Sequence, residues 1–565
     1  MRRAIDSCVR RHSSHCPGSD PGENPLRLLN VMDGNFVKLE DTESEKYNYA
    51  ALSYCWGASD AMHVAQTTRA NVKERLIGFP LAGLPKTLRD AVSVTRALEI
   101  RYIWIDALCI VQDCNTEWTR EAQKMMQYYG NARVTIVPIL SDSADSGMGM
   151  EGEASERPFS RKFPGLWRGK QSSDLILSDK PTGYRDKDLV SKSVWNSRGW
   201  TYQERLNSAR ILFVFDRSLT LECREGAWDT LTGWQSSNRG SLAPGRPYHL
   251  FLPISKEIVV KLRDGHYDWG AYYDWGFIVR NYTSRRLTHS TDRWFAFSGI
   301  AETYSRMTGH KIVAGLLKNR ILEDMVSWAV PKSSPSSGGS ASRKASPDPH
   351  DHTGVNIPSW SWLGADWCGR EAGVMFDITQ IGVLKNDWEP SSKVQSIVDE
   401  SGQDGPIKVQ VAGPALHKDA LLSLLASFRS RTGSFFGGMP CPARGPGIAF
   451  FDHEYDDASY GCSCTIQHPP HRKITHVVEH CKAYNIIGAL SPPASALLVG
   501  VASLSWEGRL HWHFIFIQPT DSQPIEPGGL CHYRRIGTMH IRDEEIGHEV
   551  KMELCQKEPD RIILV

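Results

Sequence analysis

Tyr102-Ile103-Trp104-Ile105-Asp106-Ala107-Leu108-Cys109-Ile110 begins as a short apolar run rich in β-branched and aromatic residues. Such a run suits a strand buried on both faces. The acid at Asp106 breaks it abruptly. An unpaired buried charge is costly, so packing alone does not place a carboxylate there. Ligands of parallel α/β sheets sit at the carboxyl ends of strands. Asp106 is therefore either a site residue or a structural acid that accepts neighbouring backbone N–H groups or pairs with Arg198. The sequence leaves both readings open.

Outward from this strand the chain alternates. Residues 49–54 form a second apolar run, closed by Gly57, and residues 133–140 a third. Between them Leu84, Leu88, Ala91, Thr95 and Leu98 recur at helical spacing behind Pro85, predicting a helix over 85–99. Trp118, Ala122, Met125 and Tyr129 predict another over 116–130, ended at Gly130-Asn131. Strands alternating with helices through short links predict a parallel sheet with right-handed crossovers. Upstream, residues 26–40 read as a hairpin about Asp33-Gly34. Downstream, 211–215 and 219–223 read as strands and 252–330 as largely helical. Residues 331–350, rich in Ser, Gly, Pro and Lys, read as a linker. Residues 408–411, 496–504, 510–517 and 561–565 read as strands of a β-rich end.

The chain has 565 residues, too many for one ordinary core. Apolar content of 41% and charged content of 23% fit a globular protein. A formal net charge of +1, from 65 basic and 64 acidic residues, argues against bulk binding to nucleic acid or an anionic membrane. No run reaches the roughly 18 apolar residues of a membrane span. Thirteen scattered cysteines and no apolar leader after Met1 imply reduced thiols and a cytoplasmic location.

Three blocks together resemble the fungal heterokaryon-incompatibility (HET) domain family. They are Ala51-Leu52-Ser53-Tyr54-Cys55-Trp56-Gly57, then Trp104 to Asp113, then Arg198-Gly199-Trp200-Thr201-Tyr202-Gln203-Glu204. Ser284-Arg285-Arg286-Leu287-Thr288, Pro358-Ser359-Trp360-Ser361-Trp362 and Tyr533-Arg534-Arg535-Ile536-Gly537 look like the downstream parts of long members. Cys8, His12 and Cys16 are similar to a segment often found before the domain. The resemblance implies non-self recognition ending in cell death, and a core related to the TIR fold, a flavodoxin-like parallel sheet. Some TIR domains cleave NAD with a glutamate, whereas others act only as assembly scaffolds.

On that resemblance Glu204 and Asp106 are the candidate catalytic residues. Tyr54, Trp56, Gly57, Gln112, Arg198, Trp200 and Gln203 are the candidates to line a ligand. Each has a plainer reading. Thr201-Tyr202-Gln203-Glu204 fits the helix capping box, which accounts for Glu204 without catalysis and is the expected reading. Trp56 and Trp200 could stack on a base, but core packing is the default. Cys109 reads as a small buried apolar residue. Gly147-Met148-Gly149-Met150-Glu151-Gly152 matches a dinucleotide fingerprint, but no helix begins there and loop is expected. Cys462, Cys464, His468, His471, His476, His480 and Cys481 could hold zinc, yet the spacing favours a solvated loop. Asp452 to Asp457 lacks the glycine and final glutamate of a calcium loop and reads as a solvated turn.

The expected architecture is therefore a hairpin segment at 1–48, a TIR-like α/β HET domain at 49–230, a helical extension at 231–330, a linker at 331–352 and a β-rich domain at 353–565. The expected function is an incompatibility effector acting through protein contacts, self-association of the HET domain among them. The alternative is a hydrolase of NAD or a related nucleotide. No cofactor and no metal is expected.

Overall fold

The computed structural model describes residues 1–11, 16, 24–43, 47–57, 65–149, 160–167, 170–178, 189–216, 218–223, 226–230 and 233–236. Further along it describes 269–287, 290–329, 358–364, 375–376, 395–399, 408–432, 447–451, 490, 492–503, 510–520, 531–542, 546, 548–556 and 559–564. The chain divides into two compact units. The first is Met1–Pro253 with Phe295–Thr303, the second Ile254–Trp294 with Tyr304–Val565.

The first unit opens with α1 (Arg2–Arg11), then the hairpin β1 (Arg27–Asn30) and β2 (Phe36–Asp41). Leu29 faces Leu39 across it, and Gly34 takes φ +45° in the turn, as the Asp33-Gly34 pair predicts. Next come β3 (Tyr49–Leu52), α2 (Val72–Ile77), β4 (Phe79–Pro80), α3 (Lys86–Ala97) and β5 (Tyr102–Trp104). A single helical turn, α4 (Asp106–Cys109), leads to α5 (Asn115–Asn131) and β6 (Val134–Pro138). A hairpin, β7 (Ser160–Trp167) with β8 (Lys170–Ser178), stands apart as its own ribbon. Then α6 (Trp200–Asn207) precedes β9 (Arg210–Val214), β10 (Leu219–Cys223), β11 (Gly226–Asp229) and β12 (Gly233–Ser236).

Ten of these strands form one sheet in the order β12-β11-β10-β9-β6-β3-β5-β1-β2-β4. As predicted, β3, β5 and β6 are parallel neighbours in one sheet; β3 is the middle of the three, and β6 is also parallel to β9. The sheet as a whole is mixed, because its flanks are antiparallel. Connection length accounts for the hairpin pairs β1–β2, β9–β10, β10–β11 and β11–β12, while β1 meets β5, and β2 meets β4, antiparallel across long stretches of chain. Helix-bearing links join the four middle strands, whereas a tight turn can only return the chain beside itself in reverse. The buried residues of α3, among them Leu88, Ala91, Val92 and Thr95, face this sheet's core, as do Ala122, Met125, Tyr128 and Tyr129 of α5.

In the second unit α7 (Trp269–Thr283) and the end of α8 (Phe295–Thr308) meet the helical expectation. The ribbons β13 (Ile312–Val313) with β14 (Leu316–Leu317) and β15 (Trp328–Ala329) with β16 (Met375–Phe376) flank α9 (Ile321–Ser327). Trp360 and Trp362 are fully buried. Ser361 Oγ donates to Ala314 O at 2.6 Å and Trp362 Nε1 to Gly315 O at 2.9 Å, so this motif clamps the β13–β14 turn. The β-rich end is an eight-stranded sheet built from β17 (Gln395–Asp399), β18 (Lys408–Gly413), β19 (Ala415–Leu416), β20 (Gly447–Phe451), β21 (Ser495–Ser503), β22 (Leu510–Pro519), β23 (His532–Arg542) and β24 (Asp560–Leu564). Two helices, α10 (Lys418–Thr432) and α11 (His548–Gln556), accompany it. The linker at 331–350, the cysteine and histidine group at 462–481 and Asp452 to Asp457 lie outside the described residues.

Candidate functional site

The spatial order of the four parallel strands, β5-β3-β6-β9, reverses at β3. The crevice beyond the carboxyl ends of such strands is where an open α/β sheet places ligands. The segment leaving β3 carries Ser53, Tyr54, Trp56 and Gly57, and the turn leaving β5 carries Asp106. Gly57 has φ +74°, and a Cβ there would stand 2.5 Å from Ser143 Cβ, so only glycine lets the two loops close. This approach is fixed by the Ala144 N–H donating to Trp56 O at 3.1 Å.

Trp56 Nε1 then donates to Asp106 Oδ2 at 3.0 Å, and the Ala107 N–H donates to Asp106 Oδ1 at 2.7 Å. The Tyr54 hydroxyl also hydrogen-bonds this carboxyl. Glu204, on α6, is only 6% exposed and points back under the sheet end. Its carboxyl receives the Ser53 hydroxyl, which in turn accepts Trp195 Nε1 at 2.6 Å. The Tyr129 hydroxyl, donor to Leu52 O at 3.1 Å, lies against Glu204 as well. Arg198 Nη1 donates to Tyr54 O at 2.6 Å, and its charge favours the ionised form of both acids. Asp106, Trp56 and Arg198 are half-buried and form the outer rim, while Ser53, Tyr54, Tyr129 and Glu204 are buried below it.

Desolvation dominates the electrostatics. It pushes Asp106 up to about 6, against the pull of the Ala107 N–H, Arg198, Trp56 and Tyr54. It pushes Glu204 up to about 7, and the nearby Asp106 charge adds to the rise, against Ser53, Arg198 and Tyr129. The two acids therefore exchange protons near neutrality and titrate as a pair. Both bind protons to higher pH than in the unfolded chain, so the native state holds the extra protons. The stability from their neutral forms is complete below the ordinary carboxylate range and is lost as pH rises through about 6 and 7. For Glu204, rising from 4.5 to about 7, the loss is roughly 3 kcal/mol. Thermal melting at about pH 5 and about pH 8 should show this fall, and Glu204→Gln should remove most of it. An equal pH dependence in both proteins would mean that Glu204 is not desolvated.

The capping box is not formed. Gly199 is the N-cap of α6 and makes no side-chain cap bond, so Thr201 and Glu204 already lie inside the helix. Thr201 Oγ1 donates to Trp195 O at 2.7 Å, and the Glu204 carboxyl faces Ser53 instead. Among the other candidates, Tyr54, Trp56 and Arg198 join the acid centre. Gln112 supports it from behind, donating Nε2 to Asp106 O at 3.0 Å and Ile110 O at 3.1 Å. Trp200 packs edge-on to Trp118, with ring centres 6.3 Å apart, and Gln203 is buried against Gly299. Ser53, Tyr129 and Trp195 contribute without having been singled out for it. Cys109 is buried and raised to about 12 by desolvation, which makes its thiol inert. In the glycine-rich stretch the Gly147 N–H donates to Thr87 Oγ1 at 3.0 Å and the Met148 N–H to Asp90 Oδ2 at 2.8 Å. These amides are taken, and the described part of the stretch, Gly147–Gly149, is loop as expected.

The unit is an α/β domain with a half-buried acid after β5 and a buried acid on α6 held close together. Residues 49–204 match the family model described as heterokaryon incompatibility protein (HET). Residues 49–204 therefore carry a HET domain, and the rest of the chain lies outside that match. A 103-residue stretch is 33% identical to heterokaryon incompatibility protein 6, OR allele, of Neurospora crassa, covering 17% of this chain and 15% of that relative. No solved structure matches the chain. No helix among the described residues is long and apolar enough to cross a membrane.

Proposed function

We propose that the chain is a cytoplasmic effector of fungal heterokaryon incompatibility, and that its HET domain kills by hydrolysing NAD or a related nucleotide at the glycosidic bond. The HET match and the incompatibility protein of Neurospora crassa support the biological role. The convergence of Asp106 and Glu204 on one centre carries the chemical part. The order β5-β3-β6-β9 also reads as second-first-third-fourth along the chain, the beginning of the flavodoxin-like order, which supports a TIR-like core.

In the reaction the ribosyl C1′–nitrogen bond breaks, and its electron pair neutralises the departing nicotinamide ring. Ionised Glu204 stabilises the positive charge left on the ribose. A water oxygen then bonds to C1′ and gives its proton to Asp106. Trp56, at the rim, offers a ring face to the nicotinamide. Purified chain incubated with NAD should release nicotinamide and ADP-ribose. No release from NAD or its phosphorylated and reduced forms would overturn the chemical part.

A second reading, killing through protein contacts, is favoured by one surface. Met32, Phe36 and Ile77 are 57%, 51% and 84% exposed, and all lie about the β2–β4 edge, where Phe36 pairs with Pro80. Exposed apolar side chains beside a sheet edge suit self-association. Ile77→Asp should then weaken self-association in light scattering by about tenfold or more. Unchanged association would remove this edge as the interface.

A further inference from the structure

Cys8 on α1, Cys16 and Cys223 at the end of β10 bring three sulfurs together, each within 4.8 Å of the others. All are buried, at 2%, 1% and 7% exposure, and they form a small cluster of their own, separate from the main core. One buried cysteine is ordinarily a small apolar residue. Three from separate stretches, facing one another, are a donor set. Zinc holds thiolate sulfur at about 2.3 Å in a tetrahedral array, which puts ligand sulfurs about 3.8 Å apart. The observed spacing admits that triangle. A disulfide would join two sulfurs and leave the third without a role.

The charge also fits. Three thiolates around a divalent ion carry a net charge of about −1. Arg210, 1% exposed, sets Nη1 3.8 Å from Cys8 Sγ and donates to Cys16 O at 3.1 Å. Its Nε donates to Arg133 O at 2.6 Å, which fixes the guanidinium at the end of the sheet. A buried cation beside a thiolate–metal group is thus matched in charge. The soft donor set excludes calcium and magnesium, and an iron–sulfur cluster, whose cysteines bind separate irons, would spread the three sulfurs wider than the observed 4.8 Å.

We propose that Cys8, Cys16 and Cys223 bind one zinc ion as thiolates. Binding exchanges three thiol protons for the metal and leaves the fourth tetrahedral position to water or a further ligand. The ion ties the segment that precedes the HET domain to the β9–β10 hairpin that follows Glu204. In folding terms it links α1 to β10 across the whole length of the domain.

The full chain, purified with reductant and without chelator, should carry about one zinc per chain by elemental mass spectrometry. Replacement by cobalt should give thiolate-to-metal charge-transfer absorption. Cys8→Ser combined with Cys223→Ser should abolish both signals, whereas Cys114→Ser, outside the cluster, should leave them intact. Metal content and the cobalt spectrum of the unmutated chain decide the matter even if the double variant does not fold. A chain that takes up neither zinc nor cobalt, or a disulfide between any two of the three cysteines, would overturn the proposal.

Discussion

Trp104→Ala is expected to destabilise the HET-bearing unit by about 3–5 kcal/mol, a large share of the 5–15 kcal/mol that holds an ordinary domain together. Trp104 ends β5, whose neighbours are the hairpin strand β1 and the parallel strand β3, and it is 0% exposed. Its ring sits between Tyr128 at 5.5 Å and Tyr129 at 5.3 Å, the latter edge-on at 87°. Truncation removes the largest side chain of this layer and leaves a cavity that two fixed tyrosines cannot fill. Both hydroxyls are held: Tyr128 donates to Glu121 Oε2 at 3.0 Å and Tyr129 to Leu52 O at 3.1 Å. Collapse into the void would break these bonds, so the site relaxes little and the cost falls at the high end. Trp104→Phe, which keeps an aromatic wedge, should cost less. Thermal or urea unfolding followed at both variants checks the pair. An unchanged midpoint for Trp104→Ala would mean that β5 is not in the sheet interior.

The parallel core was legible because its signals are local. Each strand is a β-branched and aromatic run, each helix repeats at 3.6 residues, and the links are short enough to force right-handed crossovers. The hairpin turn at Asp33-Gly34 was legible for the same reason. The two-residue strand β4 and the pairing of β1 with β5 were not, because neither leaves a periodic trace. Glu204 shows the limit more sharply. Threonine followed three residues later by glutamate satisfies the capping pattern, yet the N-cap is Gly199 rather than Thr201, and two residues of offset turn the carboxyl from the helix end to the domain interior. Its true partner, Ser53, lies 151 residues away in sequence. A serine interrupting the apolar run Tyr49 to Leu52 was the only trace of it. Cys8, Cys16 and Cys223 are likewise joined by topology alone.

Glu204→Gln is expected to leave the unit folded and to lower nicotinamide release by about 10²–10⁴-fold, the usual contribution of a positioned acid or base. The amide keeps the carbonyl that accepts the Ser53 hydroxyl and resembles the neutral acid that dominates below about pH 7. It cannot supply the negative charge that the ribose needs as its bond to nicotinamide breaks. Because the ionised form is the active one, release by the unmutated chain should climb as pH rises through about 7. The same rise costs the fold stability, so activity and stability should move in opposite directions across neutrality. Asp106→Asn should also impair release, since the amide is a poor acceptor for the proton of the attacking water. Killing in a fungal host should follow release in each variant. A contact scaffold gives a different pattern, with full killing by Glu204→Gln and no nicotinamide from the unmutated chain. That pattern would make the acid pair a structural knot, retained to lock α6 beneath β3, and would return the killing step to the surface at the β2–β4 edge.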